Sequence, residues 1–231
     1  MRDPDLEVAQ LLCTRLCHDL AGPVGAVAAG VELIGGDPAQ VDMETLGLIG
    51  NSSAAAALKL KFMRAALGTA GSSSGDPKAL LEGYLQAVAG LAGRPTLTWP
   101  GAAELAAGAA SLGSVWVQIM LNLSLLGLET QPGCRGLAVQ ITGDSDLTVI
   151  VEAQGAPGRT AEVRDDFAAA LAGRTPPVLG VRTVHAFVTG RLVRAAGGRI
   201  ELAASGGSSV LTAHFRAAEA SAVMHRGSAA L

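Results

Sequence analysis

The chain has 231 residues, a formal net charge of -3, 49% hydrophobic residues and only 3% aromatic residues. This length allows one large domain or two small ones, and we expect two, with cores built from Ala, Val and Leu. The lack of a basic stripe argues against a nucleic-acid partner. The lack of a signal pattern or a long apolar run argues against a membrane, so we expect a cytoplasmic protein.

A long first helix is predicted from about residue 6 to residue 34, because apolar residues recur there in steps of three and four. The stripe is formed by Leu6, Ala9, Cys13, Leu16, Leu20, Val24, Val27, Val31 and Ile34. His18 lies about 160° to 200° around the helix from its neighbours on this stripe. Its imidazole is therefore expected to face water or a partner.

The face around His18 carries small residues on its C-terminal side, Ala21, Gly22 and Gly25. Each glycine lowers helix stability by about 1 kcal/mol relative to Ala, so the close approach of another protein is one explanation for them. Pro23 removes the hydrogen bond to the carbonyl group four residues earlier and predicts a kink. The other interpretation is a surface histidine in an Ala/Gly-rich chain.

Residues 35–38 are expected to end the first helix and begin a second one, with Asp37 as a candidate N-cap and Pro38 at the first helical position. Its apolar stripe consists of Leu46, Ile49, Ser53, Ala56, Leu60, Met63 and Leu67. Two antiparallel helices have too little core to stand alone. Residues 1–70 are therefore predicted to form a helical hairpin that completes a four-helix bundle in a homodimer.

The cysteines, Cys13, Cys17 and Cys134, fit a reducing compartment better than a disulfide framework. Cys13, Cys17 and His18 suggest part of a metal site, but no second Cys or His pair completes a tetrahedral ligand set. We therefore expect no metal site and a Cys13 that is buried on the stripe.

A second domain is expected over residues 76–217, after a flexible Gly/Ser-rich linker at residues 68–75. Helices are predicted near residues 76–91, 112–129, 161–171 and 178–196, and strands near residues 96–99, 137–142, 147–153, 199–204 and 209–216. Polar turns make hairpins of the last four strands. The domain is predicted as an α+β sandwich, mainly antiparallel sheet with helices on one face, and residues 218–231 as a disordered tail.

The segment His18-Asp19-Leu20-Ala21-Gly22-Pro23 resembles the phospho-acceptor motif of histidine kinase dimerisation domains, His-Glu/Asp-Leu-x-x-Pro. The order of parts, a helical hairpin and then an α+β domain, is also similar to a kinase core. Residues 197–201, Gly-Gly-Arg-Ile-Glu, and the Gly-rich hairpin after them resemble the end of the kinase ATP-binding (Bergerat) domain.

The motifs that bind ATP in such kinases are not matched. A kinase helix carries Asn-x-x-x-Asn, but here Asn122 is followed four residues later by Leu126, which cannot bind a cation. Residues 152–158 replace the kinase motif Asp-x-Gly-x-Gly, and Pro176 and Pro177 stand in a second Gly-rich loop. The resemblance therefore implies a degenerate ATPase-like fold with no ATP and no cofactor of its own.

With these losses, the chain is identified as a member of the ChpT-type bacterial histidine phosphotransferases, dimeric proteins with kinase-like architecture and no kinase activity. Further matches lie at residues 16–20, 23–26, 62–68 and 121–123. The resemblance implies that His18 accepts a phosphoryl group from the receiver domain of a hybrid histidine kinase. His18 would then pass it to receiver domains of response regulators, with Mg²⁺ supplied by the partner receiver.

Roles for the residues near His18 follow from this resemblance. Asp19 orients the imidazole or accepts its proton, unless it is only a solvated acid. The residues expected to dock the receiver are Arg15, Ala21, Gly22, Gly25 and Arg64. Lys59, Lys61 and Arg64 either steer the partner or form a solvated basic face. The remaining histidines, His185, His214 and His225, are interpreted as structural or tail residues.

Two other functions stay open. One is an ATP-dependent histidine kinase with divergent nucleotide motifs, which binding of Mg-ATP would reveal. The other is a non-catalytic module that docks on a kinase or regulator and inhibits it, which would still bind its target after the change His18→Ala.

Overall fold

The computed structural model describes residues 3–36, 42–69, 75–89, 93–143, 146–161, 163, 165–173 and 179–216. The helices are α1 (Pro4–Gly36), α2 (Met43–Leu67), α3 (Pro77–Ala87), α4 (Ala102–Leu112), α5 (Trp116–Thr130), α6 (Asp165–Leu171) and α7 (Val184–Ala195). The strands are β1 (Thr96–Thr98), β2 (Gly136–Thr142), β3 (Leu147–Gln154), β4 (Gly198–Ser205) and β5 (Ser208–Phe215). A short 3-10 helix, Gly113–Val115, joins α4 to α5.

Helices α1 and α2 pack side by side with opposite directions. Gly30 of α1 contacts α2 so closely that an added Cβ would lie 2.5 Å from Ile49 Cγ1. Nearer the other end, Lys59 of α2 reaches Asp19 of α1. Because residue 30 meets residue 49 and residue 19 meets residue 59, the two helices form the predicted antiparallel pair.

Asp42 caps the start of α2. Its carboxylate accepts a hydrogen bond from the backbone N–H of Thr45 at 2.6 Å, and this bond lowers the pKa of Asp42. The sequence predicted a cap at Asp37 and a helix from Pro38, and both residues lie outside the described ranges.

Much of the predicted apolar stripe of α1 is exposed within a single chain. Leu6, Val24 and Val31 are 56%, 55% and 55% exposed, and Cys13 is exposed rather than buried. The stripe that packs inside the chain is rotated by about 90° from the predicted one. It contains Leu12, Arg15, Asp19, Pro23, Ala26 and Gly30, and Leu16, Leu20, Val27 and Ile34 of the predicted stripe lie partly buried at its margin. Charged residues lie on the packed side, and hydrophobic periodicity assigns such residues to solvent.

The second part of the chain is built on a five-stranded sheet with the order β1-β2-β3-β5-β4. The pairs β2–β3 and β4–β5 are antiparallel hairpins, as predicted, and β3 also pairs with β5 in antiparallel fashion. The strand β1 joins β2 in parallel, so the sheet is mixed. Alternate residues of β3 and β5 are buried, and α5 contacts both strands. The α+β class is thus confirmed.

Helix α5 lies at the centre of the core, and twelve of its 15 residues are buried. The stretch Ala102–Thr130 is long and apolar enough to cross a membrane, but 61% of the apolar window is buried inside the fold, as in the core helix of a soluble protein. The prediction found α5 and missed α4, whose Ala- and Gly-rich sequence has little apolar periodicity.

The other predicted helices exist with shorter bounds. Helix α3 ends at Ala87, α6 begins at Asp165 and α7 begins at Val184. The predicted start of the last helix at residue 178 and the tail at residues 218–231 lie outside the described residues.

Candidate functional site

His18 lies on the outer face of α1, where 81% of its side chain is exposed. Ala21, Gly22 and Gly25 on the same side are also exposed, and a Cβ added to either glycine would have no heavy atom within 4 Å. The exposed imidazole and the bare surface beside it were both predicted, and both are confirmed. A partner surface therefore has room to reach the imidazole from this side.

Asp19 connects His18 to the interior of the protein. Its Oδ1 lies 3.3 Å from His18 Nδ1, and its Oδ2 accepts a hydrogen bond from Arg15 Nε at 2.9 Å. The Asp19 side chain is only 18% exposed. Because a carboxylate only accepts, this contact places the proton of the neutral imidazole on Nδ1 and leaves a free lone pair on Nε2.

The backbone carbonyl group of Asp19 is held from the second helix. Pro23 has no N–H, so this carbonyl lacks its ordinary partner within α1. Lys59 Nζ donates a hydrogen bond to it at 3.1 Å. Lys59 thus makes a structural contact in addition to the two roles considered from the sequence, and Lys61 is exposed.

Arg15 continues the connection from α1 to α5. Its Nη2 donates to Glu129 Oε1 at 2.7 Å, and the two side chains are 20% and 14% exposed. One guanidinium therefore bridges two carboxylates, those of Asp19 and Glu129, with charge-assisted hydrogen bonds. Burial alone lowers the pKa of Arg15, but the charges of these carboxylates outweigh it and the pKa is raised.

His185 binds the other side of Glu129. Its Nδ1 lies 3.2 Å from Glu129 Oε2, and its Nε2 lies 2.8 Å from Asn122 Oδ1. The orientation of the Asn122 amide is fixed, because its Nδ2 donates to the carbonyl groups of Ala66 and Gln118. Both nitrogens of His185 therefore face oxygen atoms that can accept hydrogen bonds.

Asp19, Arg15, Glu129 and His185 form a row in which each polar side chain contacts the next, and we call this row the charge chain. Burial alone raises the pKa of Glu129, but the charges and hydrogen bonds of His185 and Arg15 outweigh it and the pKa is lowered. Tyr84 lies close by, and burial together with the negative charges of Asp19 and Glu129 raises its pKa. The charge chain thus keeps a largely buried carboxylate ionised between the two parts of the molecule.

The predicted docking residues fall into two groups. Ala21, Gly22 and Gly25 lie on the open face near His18, and Arg64 is exposed on α2. Arg15 differs from them, because its guanidinium is only 20% exposed and is hydrogen-bonded to two carboxylates. Its docking role stays a prediction, and the structure adds that it links α1 to α5.

Asn122 and Leu126, which stand where a kinase has its Asn-x-x-x-Asn motif, are buried and make contacts within the protein. Asn122 is 1% exposed, and both ends of its amide are hydrogen-bonded within the protein. Leu126 is completely buried in the apolar core. Pro176 and Pro177 lie outside the described residues.

No metal-binding cluster of three His, Cys, Asp or Glu side chains occurs among the residues that the structure describes. Cys13 and Cys17, considered above as part of such a site, are both exposed on α1. The carboxylate of Asp19 already shares its two oxygens with His18 and Arg15.

The sequence prediction missed Glu129 and gave His185 no specific role. Glu129 is the charged residue of α5, whose other residues are apolar or uncharged. An acid on a buried helix needs a partner, so its position was a signal for an internal ion pair. The partner could not be named, because Arg15 lies 114 residues earlier and no local pattern connects the two.

Comparison with known proteins places this architecture among phosphotransferases. Residues 74–208 match the family model described as "Histidine phosphotransferase C-terminal domain". The chain is 30% identical to Protein phosphotransferase ChpT of Brucella abortus (strain 2308) over 215 residues, which cover 90% of this chain and 95% of that protein. A solved bacterial phosphotransferase structure matches with a TM-score of 0.72 and 28% identity, covering 92% of this chain and 98% of that one.

Proposed function

Because this chain belongs to the ChpT-type histidine phosphotransferases, we propose that His18 takes a phosphoryl group from the receiver domain of a hybrid histidine kinase and passes it to response regulator receivers. The observation that carries this proposal is the geometry of His18. Its imidazole is 81% exposed beside an open helix face, and a carboxylate lies 3.3 Å from Nδ1. Transfer between two proteins needs the accepting group on an unobstructed surface.

In this proposal, the nucleophile is His18 Nε2. Its lone pair attacks the phosphorus of the receiver's aspartyl phosphate, so that the N–P bond forms while the bond to the carboxylate oxygen breaks. The proton stays on Nδ1, where the hydrogen bond to Asp19 stabilises the positive charge that the ring gains. The same steps in reverse pass the phosphoryl group to the next receiver.

The receiver is proposed to supply Mg²⁺ and the positive charge that the phosphoryl oxygens need. The surface beside His18 consists of Ala21, Gly22 and Gly25, which carry no charge and leave space for the partner's own groups. This chain then contributes the nucleophile and its orientation.

We propose further that the chain does not use ATP. The Mg²⁺ of a bound nucleotide needs oxygen ligands. The amide of Asn122 is already bonded at both ends, and Leu126 offers only buried methyl groups.

The function is tested by incubating the full chain with a receiver domain that carries a radiolabelled phosphoryl group. We expect an acid-labile, base-stable label on the wild type and on the control His214→Gln, and none on His18→Gln. A label on His18→Gln, labelling by Mg-ATP alone, or micromolar binding of Mg-ATP would contradict the proposal. A chain that binds the receiver and never becomes labelled would instead be a docking inhibitor.

The active form is proposed to be a homodimer in which two hairpins make a four-helix bundle. Leu6, Val24 and Val31 of α1 and Leu46 and Leu60 of α2 are 45% to 56% exposed. Burying an exposed Leu or Val contributes about 1.5 to 3 kcal/mol, and such apolar edges are typical of association surfaces. His18 lies about 130° around α1 from this edge and would stay accessible in the dimer.

Native cysteines allow a direct test of the dimer. Cys13 and Cys17 are exposed on the apolar edge of α1, one helical turn apart. The change Cys17→Ser prevents a cross-link within one helix, so a short bis-maleimide is then expected to join two chains through Cys13. Cys134 is partly buried and burial raises its pKa, so it should react slowly. The variant with Cys13→Ser and Cys17→Ser should therefore lose the cross-linked dimer. A monomer mass in light scattering at micromolar concentration would contradict the proposal.

The division into a hairpin at residues 1–70 and a second domain at residues 76–217 is retained as a proposal. The family match that begins at residue 74 supports it. The two parts are nevertheless packed together, since the rings of Phe62 and Tyr84 stack with centroids 4.3 Å apart. A cytoplasmic location is also proposed, because exposed free cysteines fit a reducing compartment.

A further inference from the structure

We propose that Glu129, at the C-terminal end of α5, is a positioning residue for phosphotransfer at His18. It acts through Arg15, which orients Asp19, which in turn orients the imidazole. This inference rests on the proposed function, because it names a residue that prepares the same nucleophile.

The first step is the orientation of Asp19. One of its oxygens faces His18 Nδ1 at 3.3 Å, and the other accepts from Arg15 Nε at 2.9 Å. A pair such as Arg15 and Asp19, one turn apart on a single helix, is weak and leaves the long arginine side chain mobile. Rotation of the Asp19 carboxylate is therefore restricted only if the arginine itself is held.

The second step is the restraint on Arg15. Glu129 Oε1, which belongs to a different helix, accepts from Arg15 Nη2 at 2.7 Å. The planar guanidinium then has one carboxylate on each of two nitrogens, which fixes its plane as well as its position. Because α5 is buried in the core, this anchor is rigid.

The third step is the charge of Glu129. His185, whose side chain is 3% exposed, contacts Glu129 Oε2 with one nitrogen and Asn122 Oδ1 with the other. Asn122 is tied in turn to the carbonyl group of Ala66 at the end of α2. The row of contacts therefore starts on α1, passes through α5 and α7, and returns to the same hairpin, so that Glu129 can neither move away nor easily lose its charge.

The variant Glu129→Gln removes the charge and keeps the shape. The glutamine oxygen can still accept from Arg15, and its amide can donate to a neutral His185. We expect the rate of phosphoryl transfer to His18 to fall about tenfold, as for other residues that orient a reactive group through a neighbour. In nitrogen NMR spectra, the His18 proton should shift from Nδ1 alone to a mixture of both nitrogens.

The matched control is Glu201→Gln. Glu201 also pairs with an arginine, Arg199, at 3.4 Å, but both side chains are exposed on β4 and far in sequence from the hairpin. Its transfer rate and its His18 spectrum should equal those of the wild type.

A double-mutant cycle separates positioning from general damage to the fold. In the background Asp19→Asn, the change Glu129→Gln should have no further effect on the transfer rate, because its route to the imidazole is already cut. Effects that multiply would overturn the inference. If Glu129→Gln does not fold, Arg15→Met is the alternative, because it removes the link between Glu129 and Asp19 and keeps the contact between Glu129 and His185. It should lower the transfer rate by the same factor.

The two proposals fail in different ways. Acceptance of no phosphoryl group by the wild type would end the proposed function, while a changed His18 spectrum in Glu129→Gln would still support the positioning role. A wild type that is labelled, together with a Glu129→Gln variant of unchanged rate and unchanged spectrum, would end the inference alone.

Discussion

The two parts of the molecule differ in how far their apolar residues are buried. Helix α5 of the second part buries twelve of its 15 residues. Helix α1 has 33 residues, and its Leu6, Val24 and Val31 are each more than half exposed. The core therefore lies mainly in the second part, and the C-terminal end of α2 contributes Phe62, Met63, Ala65 and Ala66 to it. Helix α1, in contrast, leaves two sides exposed: the face of His18 and the apolar edge formed by Leu6, Val24 and Val31.

This contrast explains where the reactive group is placed. A group that must meet several partners belongs on an exposed helix, and a group that must hold a fixed orientation needs a rigid support. The charge chain joins the two requirements, because Arg15 reaches from α1 to Glu129 on the buried helix. The second part, in this interpretation, is the scaffold that orients a nucleophile carried by the hairpin.

The strongest test of the contrast applies one substitution to both regions. Leu126→Asn places an amide in a fully buried apolar site of α5. We expect the free energy of unfolding, measured by urea denaturation, to fall by about 3 to 5 kcal/mol. The change also restores the spacing Asn-x-x-x-Asn, yet calorimetry should detect no binding of Mg-ATP.

The matched change is Leu60→Asn in α2, where the side chain is 55% exposed. Its helical content should stay at the wild-type level, because surface substitutions usually change stability by less than about 0.5 kcal/mol. Its sedimentation should shift from dimer toward monomer. If Leu60→Asn lowers the free energy of unfolding as much as Leu126→Asn does, the hairpin and the core do not differ as proposed.

A smaller loss of stability is expected when the hydrogen bond from Lys59 of α2 to the backbone of Asp19, next to His18, is removed. Lys59→Met leaves the carbonyl oxygen of Asp19 without either its helical partner or its lysine. The free energy of unfolding should fall by about 1 to 2 kcal/mol, the cost of an unsatisfied backbone group.

Lys61→Met is the control for this prediction. Lys61 lies two residues further along the same helix and is exposed, so its loss should leave the urea midpoint unchanged. Equal midpoints for the two variants would show that the bond from Lys59 to the Asp19 carbonyl contributes nothing.

Local patterns in the sequence were enough to predict most of the fold. The hairpins β2–β3 and β4–β5 were found because each consists of two alternating runs with a polar turn between them. Helix α4 was missed because Ala and Gly give little contrast between its faces. The packed side of α1 was misplaced by about a quarter turn, because the partly buried Arg15 and Asp19 are held there by an ion pair, which hydrophobic periodicity does not detect.

Local patterns in the sequence also predicted one part of the candidate site and missed the other. His18, Asp19 and the small residues beside them lie within one short motif, and their exposure and their contact were predictable. Lys59 lies 40 residues after Asp19, and Glu129 lies 114 residues after Arg15, the residue that connects it to Asp19. Only the folded chain brings them to it, so their roles could not be inferred from spacing.

The smallest predicted effect is a loss of stability at low pH, and it tests the contact between Arg15 of α1 and Glu129 of α5. Because the pKa of Glu129 is lower in the folded protein than its ordinary value of about 4.3, the unfolded chain binds more protons in that range. The stabilisation by Glu129 is therefore complete above its ordinary pKa and is lost as the pH falls through the lower folded value. Urea denaturation at pH 7 and at pH 4 should show a larger loss of stability for the wild type and for Glu201→Gln than for Glu129→Gln. Equal losses in all three would mean that the ionised carboxylate of Glu129 adds nothing to the stability of the contact between the hairpin and the second part.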